Sequence, residues 1–145
     1  MSDVLTLSQI RMPGTAQSKD QAIRETGEIL VDAGAVDPAY IDSMFDRERS
    51  VSTYMGNYLA IPHGTNESKE SIKRSALSVV RYPEPIDWDG NQVLFALGIA
   101  GYQGGHMDIL SRIAIVFSDT DEVDKLVAAT SAQELYDLLN AVNQA

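Results

Sequence analysis

The apolar run VLFALGIAG, residues 93–101, lies between a turn signal at Asp89-Gly90 and the glycine-rich stretch Gly101-Tyr102-Gln103-Gly104-Gly105. Eight or so apolar residues without polar alternation are the pattern of a strand buried on both faces, which calls for a sheet with helical covering. Helical signals duly surround it. Ser18-Lys19-Asp20-Gln21 has the form of a capping box, and Ala22, Ile23, Thr26, Ile29, Leu30 and Ala33 recur at helical spacing until Gly34. Asp37-Pro38 is a second start signal, with Tyr40, Ile41, Met44 and Phe45 lining one face through about Arg47. His106 opens HMDILSRIAIVFSD, in which Ile109, Leu110, Ile113, Ala114 and Phe117 share a face. Asp119-Thr120-Asp121-Glu122 and Ser131-Ala132-Gln133-Glu134 then start two short terminal helices.

Strands are expected at LTLSQIRM (5–12) before Pro13-Gly14, at Leu59-Ala60-Ile61, and at ALSVVRY (76–82), where Pro83 and Pro85 are expected to stop the strand. The polar stretch NESKESIKR (66–74) reads as loop or a brief helix. Together these signals predict one α/β (α+β) domain over residues 1–145, a mixed β-sheet flanked by helices.

Composition narrows the chemistry. The formal net charge of −10 argues against a general nucleic-acid binder, because phosphate-backbone affinity comes from clustered Lys and Arg. With no cysteine in the chain, disulfides, thiolate catalysis and Cys-based zinc sites are excluded. The amino terminus MSDVLTLSQI has no basic stretch followed by an apolar run, and no segment approaches the ~20 apolar residues of a membrane span. A cytoplasmic location is expected.

The chain has two histidines, and each follows a segment read as strand. His63 stands between Pro62 and Gly64, a stiff residue before it and a permissive one after it. A neutral imidazole nitrogen is a competent nucleophile at cytoplasmic pH, and phosphoryl transfer suits that chemistry, because the protein mainly positions donor and acceptor and stabilises charge on the phosphoryl oxygens. His106, at a helix start, would sit where free backbone N–H groups and the helix dipole favour an anion. Arg47 is the candidate cation, since a guanidinium matches phosphate oxygens in a fork. The same residues also fit plainer roles: a solvated loop histidine, a tolerated first-turn residue, a solvated helix end in DRER. Two histidines offer a metal only a partial ligand set, with no H-x-x-x-H or H-E-x-x-H spacing, and no G-x-S-x-G elbow marks a hydrolase.

Three separated stretches, GNYLAIPHGTNESK (56–69), RYPEPIDWDG (81–90) and LGIAGYQGGHMDILSRIA (97–114), resemble the mannitol/fructose IIA family of the bacterial phosphoenolpyruvate-dependent sugar phosphotransferase system, its mannitol-specific branch above all. The resemblance runs from LTLSQI to the last helix. It implies a mixed sheet flanked by helices and a phosphotransferase that needs no metal or organic cofactor. Such a protein takes a phosphoryl group from the histidine carrier HPr and gives it to the cysteine of the IIB domain of a membrane sugar transporter. The family's PHG histidine is His63; its second active-site histidine corresponds to His106, a stabiliser of the phosphoryl group; the arginine of its R-E element corresponds to Arg47. Asn57 stands where some members carry a glutamate, and with Gly64 it is a candidate neighbour of the site. Lacking cysteine, the chain is expected to hand its phosphoryl group to another polypeptide. The rival within the resemblance is a fructose-type or nitrogen-related regulatory IIA protein acting by phosphorylation-dependent binding.

Overall fold

The computed structural model describes residues 4–65, 70–102 and 105–140, without the side chain of His106. The apolar run becomes β5 (Asn91–Ala100), buried from Val93 to Ala100. It pairs antiparallel with β4 (Ala76–Trp88) through a two-residue turn at Asp89-Gly90, whose φ angles of 55° and 94° are those of a type I′ hairpin. The other described strands are β1 (Ile10–Arg11), β2 (Tyr54–Gly56) and β3 (Leu59–Ala60), and the sheet order is β1-β4-β5-β3-β2. The β1–β4 and β3–β5 pairs are parallel and the β2–β3 pair antiparallel, so the sheet is mixed, as expected.

The prolines do not stop β4, which runs on through Pro83 and Pro85 to Trp88. Register with β5 shifts between Arg81 and Ile86, so both prolines fall in the interrupted part of the ladder. On the other side β1 pairs with β4 only at Val79 and Val80, so nothing there asks the prolines for an N–H. The amino-terminal stretch differs too. LTLSQIRM forms a single 3-10 turn at Leu7–Gln9 and a strand of only two residues. Gln9 is buried, and its amide donates to Val4 O at 2.9 Å and Leu77 O at 2.7 Å, bonds that fold the chain back onto β4.

Five described helices cover the sheet. Ser18 caps α1 (Lys19–Asp32) by accepting from Gln21 N, Asp119 caps α4 (Thr120–Ala128), and Ser131 caps α5 (Ala132–Leu139) by accepting from Glu134 N. In α2 (Ala39–Ser50) the expected Asp37 cap is absent; its carboxylate pairs with Lys73 at 3.1 Å, and the helix extends three residues beyond Arg47. The fifth is α3 (Gly105–Phe117). Leu77, Val79, Phe95, Leu97 and Ile99 face α3, α4 and α5, whereas Ala76, Val80, Ala96 and Ala100 face α1 and α2. No described helix is long and apolar enough to cross a membrane.

Small residues let α1 lie close to the sheet. A Cβ on Gly98 would stand 2.5 Å from Ser78 Oγ and 2.9 Å from Thr26 Cβ, and Ser78 Oγ donates to Thr26 O at 2.9 Å. Gly98→Ala is therefore expected to destabilise the protein by about 1–3 kcal/mol, as overpacking does. A thermal melt would show it, and an unchanged Tm would mean that α1 can lift from the sheet at no cost.

Candidate active site

The site begins where β3 runs out. Leu59 and Ala60 pair in parallel with Phe95 and Ala96, Ile99 N then donates to Pro62 O at 3.0 Å, and His63 makes an isolated bridge to Ile99. His63 thus stands at the carboxyl edge of the parallel pair, where open α/β sheets place their chemistry. Its side chain is buried, with Nδ1 2.8 Å from Ile61 O. A carbonyl can only accept, so Nδ1 carries a proton, and in the neutral form of the ring the lone pair belongs to Nε2.

The chain after His63 is held by α2. Gly64 N donates to Tyr40 Oη at 2.8 Å, Tyr40 Oη donates to Ile99 O at 2.8 Å, and Thr65 N donates to Ser43 Oγ at 2.8 Å. Burial pushes the Tyr40 phenol up to about 12, against the opposing effect of the Gly64 N–H, so it stays a neutral hydroxyl. Tyr40, Ser43 and Arg47 are spaced i, i+3, i+7 and share one stripe of the helix. Arg47 is half-buried and donates from Nη1 to Val51 O at 2.8 Å. Among the described residues no carboxylate pairs with it, whereas Arg49 pairs with Asp46. The buried Glu48 next to Arg47 accepts from Thr53 N at 3.0 Å, Thr53 Oγ1 at 2.6 Å and Trp88 Nε1 at 3.2 Å, which fastens this end of α2 to the sheet.

The third component is α3. Its far end packs Phe117 edge-on against Phe95, with ring centroids 5.7 Å apart, so the helix runs back along β5 from a start beside the Ile99 end. The positive end of α3 therefore lies at the edge that carries His63. His106 is the second residue of α3, and its side chain lies outside the described residues, as do Gln103 and Gly104. Tyr102 and Met107, beside this helix start, are 44% and 65% exposed.

Asn57 does not join this group. It lies in the β2–β3 turn at φ 50°, and its Nδ2 donates to Phe117 O at 2.7 Å, at the opposite end of α3. Leu59 to His63 spans about 13 Å at strand rise, and Asn57 lies beyond Leu59. The turn requires positive φ at its central residues, which asparagine tolerates, and its amide satisfies a helix-end carbonyl. Gly64, in contrast, is beside His63 and its N–H is part of the clamp. The hydroxyls of Tyr40 and Ser43 were not legible as site residues, since their partners are backbone groups more than twenty positions away; the polar stripe Tyr40, Ser43, Arg47 was the available signal.

An imidazole nitrogen at a sheet edge, with a helix amino terminus beside it, can receive and steady a phosphoryl group. The family described as "Phosphoenolpyruvate-dependent sugar phosphotransferase system, EIIA 2" matches residues 3–142. The "Mannitol-specific phosphotransferase enzyme IIA component" of Halalkalibacterium halodurans is 48% identical over 141 residues, 97% of each chain. The crystal structure of IIA mannitol from Escherichia coli superposes with a TM-score of 0.86 at 31% identity, covering 93% of this chain and 98% of that one. A complex of Escherichia coli enzyme IIA and phosphorylated enzyme IIB for mannitol contains a chain with TM-score 0.88 and 30% identity, covering 94% and 97%. With the match spanning nearly its whole length, the chain belongs to the EIIA 2 family of the phosphoenolpyruvate-dependent sugar phosphotransferase system.

Proposed function

We propose that the protein is a cytoplasmic phosphocarrier of mannitol uptake, with Nε2 of His63 as the atom that carries the phosphoryl group. The observation that supports this assignment is the 2.8 Å bond from His63 Nδ1 to Ile61 O, which leaves the lone pair on Nε2. In the forward step Nε2 attacks the phosphorus of phospho-HPr: the new N–P bond forms as the donor's N–P bond breaks, and Nδ1 keeps its proton throughout. In the second step the cysteine thiolate of a mannitol IIB domain attacks the same phosphorus, the S–P bond forms as the Nε2–P bond breaks, and the electron pair returns to Nε2, leaving His63 a neutral ring with its Nδ1 proton. Both steps are in-line displacements in which positioning and charge stabilisation supply the catalysis.

Arg47, the amino terminus of α3 and His106 are assigned to the phosphoryl oxygens. A relay must release what it accepts, so a few contacts at a sheet edge serve better than a deep cage. The exposed Tyr102 and Met107 offer an apolar margin for the partners' docking. Arg47→Met is expected to slow phosphoryl uptake by roughly 10²-fold, the usual effect of losing one oxyanion donor, with Arg47→Lys recovering part of the rate as a point charge. Rapid-quench measurement with phospho-HPr checks this, and an Arg47→Met rate equal to wild type would remove Arg47 from the site.

The transport role is tested by offering the phosphorylated protein mannitol and fructose IIB domains side by side. Preferential transfer to the mannitol domain is expected. Phosphorylation followed by transfer to neither would instead indicate a regulatory protein.

A further inference from the structure

The bond pattern around His63 contains an insertion. Where two parallel strands continue side by side, each residue of one donates to and accepts from residues flanking its partner on the other. Ile99 begins that pattern by donating to Pro62 O at 3.0 Å. The return bond, from Gly64 N to Ile99 O, is relayed through a side chain: Gly64 N donates to Tyr40 Oη at 2.8 Å, and Tyr40 Oη donates to Ile99 O at 2.8 Å. A phenol hydroxyl thus occupies a rung of the ladder at the residue after His63. Two bonds in series separate the strands more than one direct bond of about 2.9 Å would. The next amide, Thr65 N, turns to Ser43 Oγ instead of the sheet.

The strut is stiff. Tyr40 is 2% exposed and Ser43 8%, and both sit on α2, whose far end is fastened by Glu48 to Thr53 and Trp88. His63 is therefore fixed from three directions: Pro62 by Ile99, the imidazole by Ile61 O, and the following two amides by α2.

We propose that Tyr40 and Ser43 are positioning residues for phosphoryl transfer, their hydroxyls holding the Gly64–Thr65 backbone off β5 so that the His63 ring keeps the Nδ1–Ile61 bond and its place at the sheet edge. This rests on His63 being the phosphoryl acceptor. With the Tyr40 hydroxyl gone, Gly64 N and Ile99 O lose their shared partner and are drawn toward direct pairing, which carries His63 with them.

Tyr40→Phe, Ser43→Ala and Ser43→Thr are compared with wild type and His63→Ala. Each is followed by single-turnover phosphorylation with phospho-HPr over a range of donor concentrations, by the ¹⁵N shifts of the His63 ring, and by thermal melting. Tyr40→Phe is expected to lower the saturated rate at least tenfold at an unchanged half-saturating concentration, and to move the ring shifts away from a single Nδ1–H tautomer. Ser43→Ala is expected to do the same to a smaller degree, and Ser43→Thr to restore the rate, because it restores the hydroxyl. A variant that merely loosened the fold would lower the Tm and leave the ring shifts in place. If Tyr40→Phe does not fold, Ser43→Ala against Ser43→Thr decides the matter alone. A wild type that takes no phosphoryl group removes the His63 reading and this proposal with it. A wild type that is phosphorylated, with Tyr40→Phe and Ser43→Ala matching its rate and ring shifts, overturns the positioning role alone.

Discussion

His63→Ala is expected to abolish phosphoryl uptake while leaving the fold in place. No cysteine is present to replace the proposed nucleophile, and the one other histidine, His106, is assigned to the phosphoryl oxygens. The bonds that shape the site use backbone atoms around His63: Ile99 N to Pro62 O, Gly64 N to Tyr40 Oη, and Thr65 N to Ser43 Oγ all survive removal of the ring. The ring's bond to Ile61 O joins it to a neighbouring residue rather than to a distant element. Intact mass after incubation with phosphoenolpyruvate, Enzyme I and HPr should show a gain of one phosphoryl group in wild type and none in the variant. Far-ultraviolet circular dichroism of the two should coincide. Uptake by a folded variant would move the chemistry to another residue.

The largest loss of stability is expected at the opposite end of β4. Trp88 is fully buried, and its Nε1 donates to Glu48 Oε2 at 3.2 Å. Trp88→Ala leaves a large cavity and removes one donor from a buried carboxylate, so a cost of about 3–5 kcal/mol is expected. That is a large share of the ~5–15 kcal/mol that holds a domain together. Trp88→Phe keeps most of the ring and loses the N–H, and should cost about 1–3 kcal/mol. Denaturant titration of both separates the packing from the hydrogen bond; equal costs would show that the cavity closes by relaxation. Because Glu48 adjoins Arg47 in α2, the alanine variant should also take up phosphoryl groups more slowly.

The residues that declared themselves in the sequence act locally. Ser18 and Ser131 bind amides three positions ahead, Asp89-Gly90 needs only its own φ angles, and the run from Val93 to Ala100 carries its double burial in composition. What stayed hidden depends on distant partners. Pro83 and Pro85 read as strand breakers because a sequence does not show that β1 leaves β4 after Val80 or that the ladder slips beyond Arg81. Asn57 took its place near the site from family likeness, whereas its amide answers a carbonyl sixty positions on, at Phe117. Tyr40 read as one more apolar residue on a helix face, and its hydroxyl meets Gly64 and Ile99 only through the fold. The turn at Asn57-Tyr58 was masked likewise: both residues take positive φ, 50° and 68°, but the second is a tyrosine where glycine is the usual signal. The positions of His63 and of the start of α3, in contrast, follow from strand ends and glycines that the sequence displays.

The central claim is that His63 carries the phosphoryl group on the nitrogen that does not bond Ile61 O. Long-range ¹H–¹⁵N correlation spectra of the protein phosphorylated through HPr, with ³¹P coupling to identify the substituted atom, test it most directly. A ³¹P-coupled Nε2 on His63, with Nδ1 still protonated, is the expected result. A phosphoryl group on Nδ1 of His63, or on His106, would contradict it.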